Sequence, residues 1–519
     1  MSQMKRPSFD EIRLEAGDVA KRAHPNPPEP PEPPEQDATR SVEDLAAGEP
    51  NPPEEGPGAS VTDVSATAEP EVEEELPAVT EEQVPEPAEA PKPVEVAPGE
   101  PFRILIAGDF SGRSWRENAK ASFTPRLVDR DNFDEILAGM GVTLDLGGIR
   151  LSFDELEDFH PDRLYEKVPL FRKLDQLVQE APPAAKAAAQ KPAPAVAPPG
   201  GLLDQIVTEQ GWEPAPASRV SAEDAGDLAA FIRRVSAGHV VPRESPEKQQ
   251  RTAKRQELAG ELMRRLLRDP RFKALEAAWR GLFMLIRGLD TDGDLKIYIL
   301  DITLPELVRG MDAIKENLRE IGRWAVIAGN FSFGQSRTDA AVLERLAGLA
   351  KLSGGPLVAE ARPSGETPDQ SWGALRRSPA ARWIGLALPR FMLRLPYGKQ
   401  TSAIDSFPFE EMPESEHSAY LWGNPAFFCA YLLGQSFLLR GWKLWPIERR
   451  IDNLPLHVYE KDGESVAKQC AEILMTEREA EQVLEAGFMP VAPLKNQDAA
   501  LIVRFQSIAQ PAAGLAGLS

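Results

Sequence analysis

The sequence predicts an α/β protein in which a small α+β module precedes a larger domain with a mixed, mostly parallel sheet. After residue 201, apolar strand patterns alternate with single amphipathic helices, which is typical of parallel α/β sheets. Composition changes sharply near residues 100 and 180, where Pro-rich stretches separate folded units. A chain of 519 residues also exceeds the size of one hydrophobic core, so more than one folded unit is expected.

Residues 1–100 are expected to form a disordered, acidic, Pro-rich tail. Positions 26–100 contain about 21 acidic residues but only two basic residues, Arg40 and Lys92, and no aromatic residue. Such a segment buries too little apolar surface to offset its chain entropy. It carries most of the formal net charge of −22, so the remaining residues are close to neutral. Ahead of it, residues 9–20 have the spacing of a short amphipathic helix.

Residues 101–179 are predicted to fold as the small module. Its first strand, 102–110, runs into a Gly-rich turn, and a hairpin is expected around Gly147–Gly148 because the flanking residues alternate with period two. The remaining predicted elements are a strand or turn near 126–129, a helix over 130–140 and a helix over 160–179 with a proline break.

An Ala/Pro-rich linker over residues 180–201 separates the module from the larger domain, residues 202–510. Helical periodicity covers 256–289, with a break at Asp269–Pro270, and three further helices are predicted over 304–322, 337–353 and near 371–385. Between them lie strand patterns over 294–302, 323–333 and 355–361.

The turn Gly108–Gly112 superficially resembles a phosphate-binding loop. A P-loop needs four residues between its glycines and then a Lys, whereas here three residues separate them and Arg113 follows. Asp109 and Phe110 also place a negative charge and a bulky ring where an anion would sit. The turn is therefore interpreted as the structural end of a buried strand.

Other enzyme and metal motifs are also missing. The segment Asp290–Lys296 resembles a calcium loop, but Leu295 replaces the required Gly and Asp301 replaces the closing Glu. The five histidines have no metal-ligand spacing, and neither Cys429 nor Cys470 lies in a nucleophile or metal motif. No cofactor or metal is expected, and the chain is predicted not to be an enzyme.

Composition also bears on location and on ligands. Two cysteines fit a reducing compartment, the N-terminus lacks an apolar signal region, and polar residues interrupt the longest apolar stretch. A cytoplasmic protein without membrane insertion is expected. The nearly neutral folded part argues against nucleic-acid binding. Five tryptophans in apolar stretches are interpreted as core or interface residues: Trp279, Trp324, Trp383, Trp422 and Trp442.

Several stretches of the larger domain together resemble the large subunit of the type VI secretion contractile sheath, the TssC or VipB family. They are residues 266–282, 386–411, 419–442 and 454–508, in the family's order. The motif residues on which this resemblance rests, expected to serve structure or interfaces, are Trp279, Arg280, Gly281, Arg394, Pro396, Tyr397, Gly398, Trp422, Gly423, Asn424, Lys495 and Asn496.

The small module resembles the small sheath subunit, TssB or VipA. The stretches FRILIAGDFSGR, VDRDNFDEILAGM, LSFDELEDFHPDRL and VPLFRKLDQL carry this resemblance, with Gly108, Asp109, Phe110 and Gly112 as its first motif residues. The chain thus resembles a fusion of the two subunits, which implies a contractile tail-sheath-like fold. Tethering raises the effective concentration of one part near the other.

The resemblance implies a structural component that packs around an inner tube and contracts to propel it. The implied partners are other sheath subunits, as homo- or hetero-oligomers, the inner tube protein, the baseplate and an AAA+ ATPase that disassembles spent sheath. The family's ATPase-contact helix corresponds to residues 201–212, with Leu202, Leu203 and Ile206 as its candidate apolar face; packing on its own domain is an equal alternative.

Two departures from the family keep alternatives open. The residues before Pro101 are Pro-rich and acidic, which disfavours strand exchange, and the large-subunit region is shortened at its C-terminal end. A divergent accessory that does not polymerise alone is therefore one alternative. A soluble α/β enzyme or nucleotide-binding protein is another, and a scaffold that binds a basic partner through its acidic tail is a third.

Overall fold

The computed structural model describes residues 96–116, 122–146, 149–180, 246–363, 367–413, 416–461 and 463–518. The predicted acidic tail, the helix over 9–20, the linker and the segment 201–212 lie outside these ranges. Among the helices that are described, none is both long and apolar enough to cross a membrane.

Strands from both predicted folded units enter one mixed sheet. The strands are β1 (Phe102–Gly108), β2 (Arg126–Val128), β3 (Val142–Leu146), β4 (Ile149–Phe153), β5 (Leu295–Asp301), β6 (Val326–Phe333), β7 (Leu357–Ala361), β8 (Ile384–Leu388), β9 (Phe391–Arg394), β10 (Leu421–Gly423), β11 (Arg450–Ile451), β12 (His457–Lys461), β13 (Glu464–Lys468), β14 (Met489–Pro493) and β15 (Ala500–Ile502).

Within the described ranges, nine of these strands form the large sheet, in the order β11-β15-β14-β8-β7-β6-β1-β5-β2. The pairs between β5 and β14 are parallel, whereas β2 at one edge and β15 and β11 at the other pair antiparallel. The α/β class with a mixed, mostly parallel sheet is thus confirmed.

Strand β1 lies in the middle of this sheet, between β5 and β6. Ile104 faces Ile297 on one side and Val326 on the other, in parallel register. Residues 101–179 and 202–510 therefore share one sheet, because the first strand of the small module completes the sheet of the larger region.

Helices cover both faces of the sheet. They are α1 (Phe133–Gly139), α2 (Pro161–Lys167), α3 (Pro169–Glu180), α4 (Pro246–Arg268), α5 (Pro270–Gly288), α6 (Leu304–Arg309), α7 (Met311–Ile321), α8 (Arg337–Ser353), α9 (Gln370–Arg377), α10 (Pro425–Arg440) and α11 (Glu477–Glu485). Because side chains alternate along a strand, Ile104 and Ile106 join a core with α5 and α10, and Leu105 and Ala107 join a second core with α7 and α8.

The predicted single helix over 304–322 is wrong, because the chain forms two helices that meet at Gly310. Gly310 ends α6 by donating its N–H to the Glu306 carbonyl oxygen, and it precedes α7 with a non-helical backbone. The ring of Phe123 lies where a side chain at 310 would project. Glycine's low helix propensity and this ring together explain the break.

The predicted helix near 371–385 is shorter than expected. Helix α9 ends at Arg377, a 3-10 turn covers Pro379–Trp383, and Ile384 begins β8. Ser378 is extended because a residue before proline is disfavoured in the helical region. The predicted proline break within 160–179 agrees with the structure, since α2 and α3 meet at Val168 and Pro169.

We expect Gly281→Ala to destabilise the protein by about 1–3 kcal/mol through overpacking. Gly281 of α5 faces α10, and a Cβ atom there would lie 2.8 Å from Cδ2 and Cε2 of the buried Phe427 ring. Equilibrium denaturant unfolding measures the change. Gly348→Ala in α8 is the matched control, since its Cβ meets no atom within 4 Å, and it should be neutral or stabilising. Equal effects of both variants would contradict this account of the α5–α10 contact.

Candidate functional site

A buried cluster of two arginines and two glutamates joins helix α5 to the segment that follows β9. We define this Arg–Glu cluster as Glu276, Arg280, Arg394, Tyr397 and Glu411. Arg394 donates from Nε to Glu276 Oε1 at 2.7 Å and from Nη1 to Glu411 Oε2 at 2.7 Å. Its Nη2 reaches the second oxygen of each carboxylate, at 3.2 and 3.1 Å. One guanidinium therefore binds two carboxylates, each through two hydrogen bonds.

The other two members of the cluster complete its hydrogen bonding. Arg280 donates from Nε to Glu276 Oε1 at 2.7 Å and from Nη2 to the Tyr397 hydroxyl at 3.0 Å. The backbone N–H of Tyr397 donates to Glu411 Oε2 at 2.8 Å. The Arg394 guanidinium also lies 4.3 Å from the centre of the Tyr397 ring, within cation–π range. Two positive and two negative charges balance inside the protein.

Burial and charge pairing act in opposite directions on these groups. Burial disfavours ionisation of Glu276, but the charges of Arg394 and Arg280 outweigh it and lower the pKa of this carboxyl. Burial likewise opposes the charge of Arg394, yet Glu276 and Glu411 raise its pKa well above the ordinary value. Burial raises the pKa of Tyr397 to about 12, so its hydroxyl stays protonated. The cluster is therefore ionic at neutral pH.

Hydrogen bonds to backbone groups hold the loop around Pro396 and Gly398 in place. The Thr401 hydroxyl donates to the Pro396 carbonyl oxygen at 2.5 Å, and the Gly398 N–H donates to the Ser402 carbonyl oxygen at 2.9 Å. The Glu410 carboxylate fills the space beside Gly398, where any Cβ atom would collide with it, and accepts from the Lys399 N–H at 3.1 Å. The motif Arg394–Gly398 thus makes a fixed turn that presents Tyr397 to the cluster.

The turn Gly108–Gly112 is held by carboxylates at its own end of the sheet. Asp301, the last residue of β5, accepts from the N–H groups of Phe110 and Ser111 at 2.9 and 3.1 Å, and from Ser111 Oγ at 2.7 Å. Asp109 accepts from the N–H groups of Arg113 and Ser114 at 2.7 and 2.8 Å. Carboxylates thus occupy the amide donors that a phosphate loop would offer, in agreement with the structural interpretation of this turn.

Contacts to α5 and α6 fix the same turn. Trp279, which is fully buried, donates from Nε1 to the Phe110 carbonyl oxygen at 2.8 Å, and its ring meets the Phe110 ring edge-on. Arg113 donates to both carboxylate oxygens of Glu306 at 3.1 and 3.0 Å. At Gly112, φ is 77°, and a Cβ atom would lie 2.9 Å from the Thr143 carbonyl oxygen. Only glycine fits this position without strain.

The predicted motif Trp422–Asn424 begins helix α10. Asn424 caps the helix, since its Oδ1 accepts from the Ala426 N–H at 2.9 Å, and its Nδ2 donates to the Phe331 carbonyl oxygen at 3.1 Å. Gly423 lies against Leu393 of β9, whose Cγ would be 2.8 Å from a Cβ atom. Trp422 is buried in a small cluster with Met392 and Tyr420.

The remaining predicted residues are not part of these clusters. Lys495 and Asn496 are exposed in the turn between β14 and β15, where Asn496 has a φ of 58°. Leu202, Leu203 and Ile206 lie outside the described residues. Sequence reasoning missed Glu276, Glu411, Asp301 and Glu306. An Arg inside the apolar strand β9 was the available signal, because a buried cation needs a carboxylate partner.

Within the described ranges, neither metal ligands nor an ionised thiol forms a reactive centre. No cluster of three or more His, Cys, Asp or Glu side chains there has the geometry of a metal site. Both cysteines are buried, and burial raises the pKa of each thiol, to about 12 for Cys470. The charged and aromatic side chains of these clusters join separate segments of the chain to one sheet.

Comparison with known families shows that two regions of the chain resemble contractile-sheath proteins. Residues 250–319 and 366–509 match the VipB family, described as "EvpB/VC_A0108, tail sheath N-terminal domain". Residues 85–181 match the family described as "Type VI secretion system, VipA, VC_A0107 or Hcp2". The Type VI secretion system sheath protein TssC1 of Pseudomonas aeruginosa is 31% identical over 284 residues, which are 46% of this chain.

One polypeptide therefore carries a region that matches the VipA family and, after it, two segments that match the VipB family. The resemblance to both subunits that the motifs predict is confirmed. The chain spans 57% of the length of the TssC1 relative.

We expect Arg394→Met to destabilise the protein by about 3–5 kcal/mol, because it leaves Glu276 and Glu411 buried without their main partner. Both glutamates have 0% exposed side chains. Urea unfolding at neutral pH measures the change. Arg319→Met is the control, because Arg319 pairs with Glu316 on an exposed helix surface and should cost less than about 1 kcal/mol. If Arg394→Met lowered the free energy of unfolding no more than Arg319→Met does, the cluster would not be stabilising.

The Arg113–Glu306 ion pair should make the free energy of unfolding depend on pH in the acidic range. Although partial burial opposes it, hydrogen bonding from Arg113 lowers the pKa of Glu306 from 4.5 to about 2. Because the pKa is lowered in the folded state, the Glu306 charge stabilises the protein fully above pH 4.5. This stabilisation is lost as the pH falls towards 2. Glu306→Gln should cost about 1–2 kcal/mol at pH 7, after allowance for solvent screening, and the difference from wild type should shrink between pH 4.5 and 2.

Denaturant unfolding at several pH values between 7 and 3 measures this difference. The control is Glu316→Gln, whose side chain is 62% exposed and pairs with Arg319 at 3.4 Å. A Glu306→Gln deficit that is constant across this pH range would show that the charge of Glu306 does not contribute.

Proposed function

We propose that the chain is a single-chain protomer of the type VI secretion contractile sheath, in which one polypeptide does the work of a small and a large subunit. The observation that supports this most directly is the position of β1. This VipA-type strand lies between β5 and β6, both inside the region that follows the VipA-type match, and pairs with each in parallel. The two regions are therefore interlocked parts of one fold.

The proposed role is mechanical. Copies of the chain pack around an inner tube protein in the bacterial cytoplasm, on a baseplate, and a change between two packing states of the assembly propels the tube. An AAA+ ATPase then disassembles the contracted form, with Leu202, Leu203 and Ile206 as the proposed contact. Buried ion pairs suit such a protomer, because groups that are paired only in one geometry keep each subunit rigid while its neighbours move.

Self-assembly of the purified full-length chain is the direct test. Light scattering and negative-stain electron microscopy should show rings or tubes. Gly348→Ala is the control variant, because a Cβ atom there meets no other atom within 4 Å. It should assemble as wild type does. A chain that stays monomeric at high concentration would overturn self-assembly and favour an accessory that needs separate sheath subunits. Saturable binding of a nucleotide with turnover would instead favour an enzyme.

Cleavage between the two regions tests whether they form one interlocked unit. A site-specific protease sequence inserted after Ala188 allows the full-length folded chain to be cut between the VipA-type and VipB-type regions. The two fragments should remain together in size-exclusion chromatography and separate only in denaturant, because removing β1 would expose the edges of β5 and β6. The control is the same insertion left uncut. Separation without denaturant would contradict the single-chain protomer.

A further inference from the structure

An arginine-lined pocket lies beside the Gly108–Gly112 turn, away from the Arg–Glu cluster. It has a volume of about 240 Å³, and its polar wall consists of Arg113, Arg116, Arg126, Ser122, Thr124 and Asp301. Residues from the turn, from the edge strand β2 and from the end of α1 meet there. The sheath role as described above assigns nothing to this pocket.

The positive charges in this pocket are only partly compensated. Arg113 is bound to Glu306 and lies 3.5 Å from Asp301, so its charge is balanced. Asp301 directs its oxygens to the turn, where it accepts three hydrogen bonds. Within the described residues, Arg116 and Arg126 have no carboxylate within ion-pair distance. Among the described residues, the pocket therefore has two guanidinium groups without a direct ion pair, and Asp301 is the one carboxylate in its wall.

Arg116 is held in place with one donor unused. Its Nη2 donates to the carbonyl oxygens of Ser111 and of Gly141, the latter at 2.6 Å. Its Nε is buried and has no hydrogen-bond partner. Burial lowers the pKa of Arg116, although the charges of Asp301 and Asp109 oppose this effect. An oxyanion beside a guanidinium group held in this way would form charge-assisted hydrogen bonds with it.

The geometry points to a binding site for a small, doubly charged oxyanion of the phosphate type, held by Arg116 and Arg126 with the hydroxyls of Ser122 and Thr124. Guanidinium groups match the spacing of phosphate oxygens and bind them through paired hydrogen bonds. The pocket is smaller than the roughly 300–1,000 Å³ of sites for drug-sized ligands, so a free anion fits it and a nucleotide does not.

A bound anion would connect the segment that follows β1 to the edge strand β2. The turn belongs to the segment after β1, and Arg126 begins β2, which pairs with β5. An anion that bridges Arg116 and Arg126 therefore stabilises the VipA-type region where it meets β5. The inference stands on these contacts and does not depend on whether the chain assembles.

Titration of the full-length protein with inorganic phosphate tests the site. Calorimetry at pH 7.5, with sodium chloride adjusted to keep ionic strength constant, should show saturable binding of one phosphate per chain. Arg126→Gln should weaken binding about tenfold through loss of a charged hydrogen bond. This variant should fold normally, because Arg126 is exposed and no described carboxylate pairs with it. Arg251→Gln, an exposed arginine on α4 that changes the net charge equally, should bind as wild type.

Thermal unfolding provides a second readout. Phosphate stabilises most proteins by exclusion from their surface, and this effect should be equal in all variants. The additional rise in Tm expected from binding should be present in wild type and Arg251→Gln and missing in Arg126→Gln. Sulfate should compete and acetate should not.

Three results would overturn the inference. They are no saturable heat with wild type, equal phosphate affinity in Arg126→Gln and wild type, or tighter binding of ADP than of phosphate. The last result would replace the small-anion site with a nucleotide site.

Discussion

The insertion of β1 between β5 and β6 is the constraint on which the rest of the structure depends. It makes the six parallel strands continuous, and its alternating side chains supply both cores of the protein. Without it, β5 and β2 would be cut off from the other strands, and both cores would lose the side chains that β1 contributes. A VipA-type region is therefore a structural part of the VipB-type sheet in this chain.

The two polar clusters make that insertion specific. Hydrophobic burial favours β1 in the sheet but does not by itself fix where its end turns. Asp301 and Trp279 fix that turn from two sides. Asp301 accepts from the Phe110 N–H, and Trp279 donates to the Phe110 carbonyl oxygen. One turn earlier on α5, Glu276 binds Arg394 and so ties the same helix to β9. Helix α5 is thus the element through which both clusters act, with Trp279 and Glu276 one turn apart.

The sequence was sufficient for the fold class, since β1, β5, β6 and β7 are apolar runs whose lengths and flanking turns indicate buried strands. It was also sufficient to exclude a phosphate loop at Gly108–Gly112. It could not predict that Asp301 binds this turn, because the two are 190 residues apart and nothing local marks an aspartate that ends a strand. The partner of Arg394 was equally hidden, since Glu411 is one of many acidic residues. Gly310 shows a further limit, because the ring of Phe123 that accompanies the helix break comes from a distant part of the chain.

The central position of β1 also has a consequence for the order of synthesis. The ribosome makes the strand and its turn first, and Asp301 follows Ser111 by 190 residues. At roughly 5–20 residues per second, this corresponds to a delay of about 10–40 s, during which the strand has neither neighbour. The apolar segment Phe102–Gly108 must be kept from premature pairing for that time, because exposed strand edges are templates for aggregation. Placing both regions in one chain removes the diffusional search between subunits, but it makes closure of the sheet wait for the synthesis of β6.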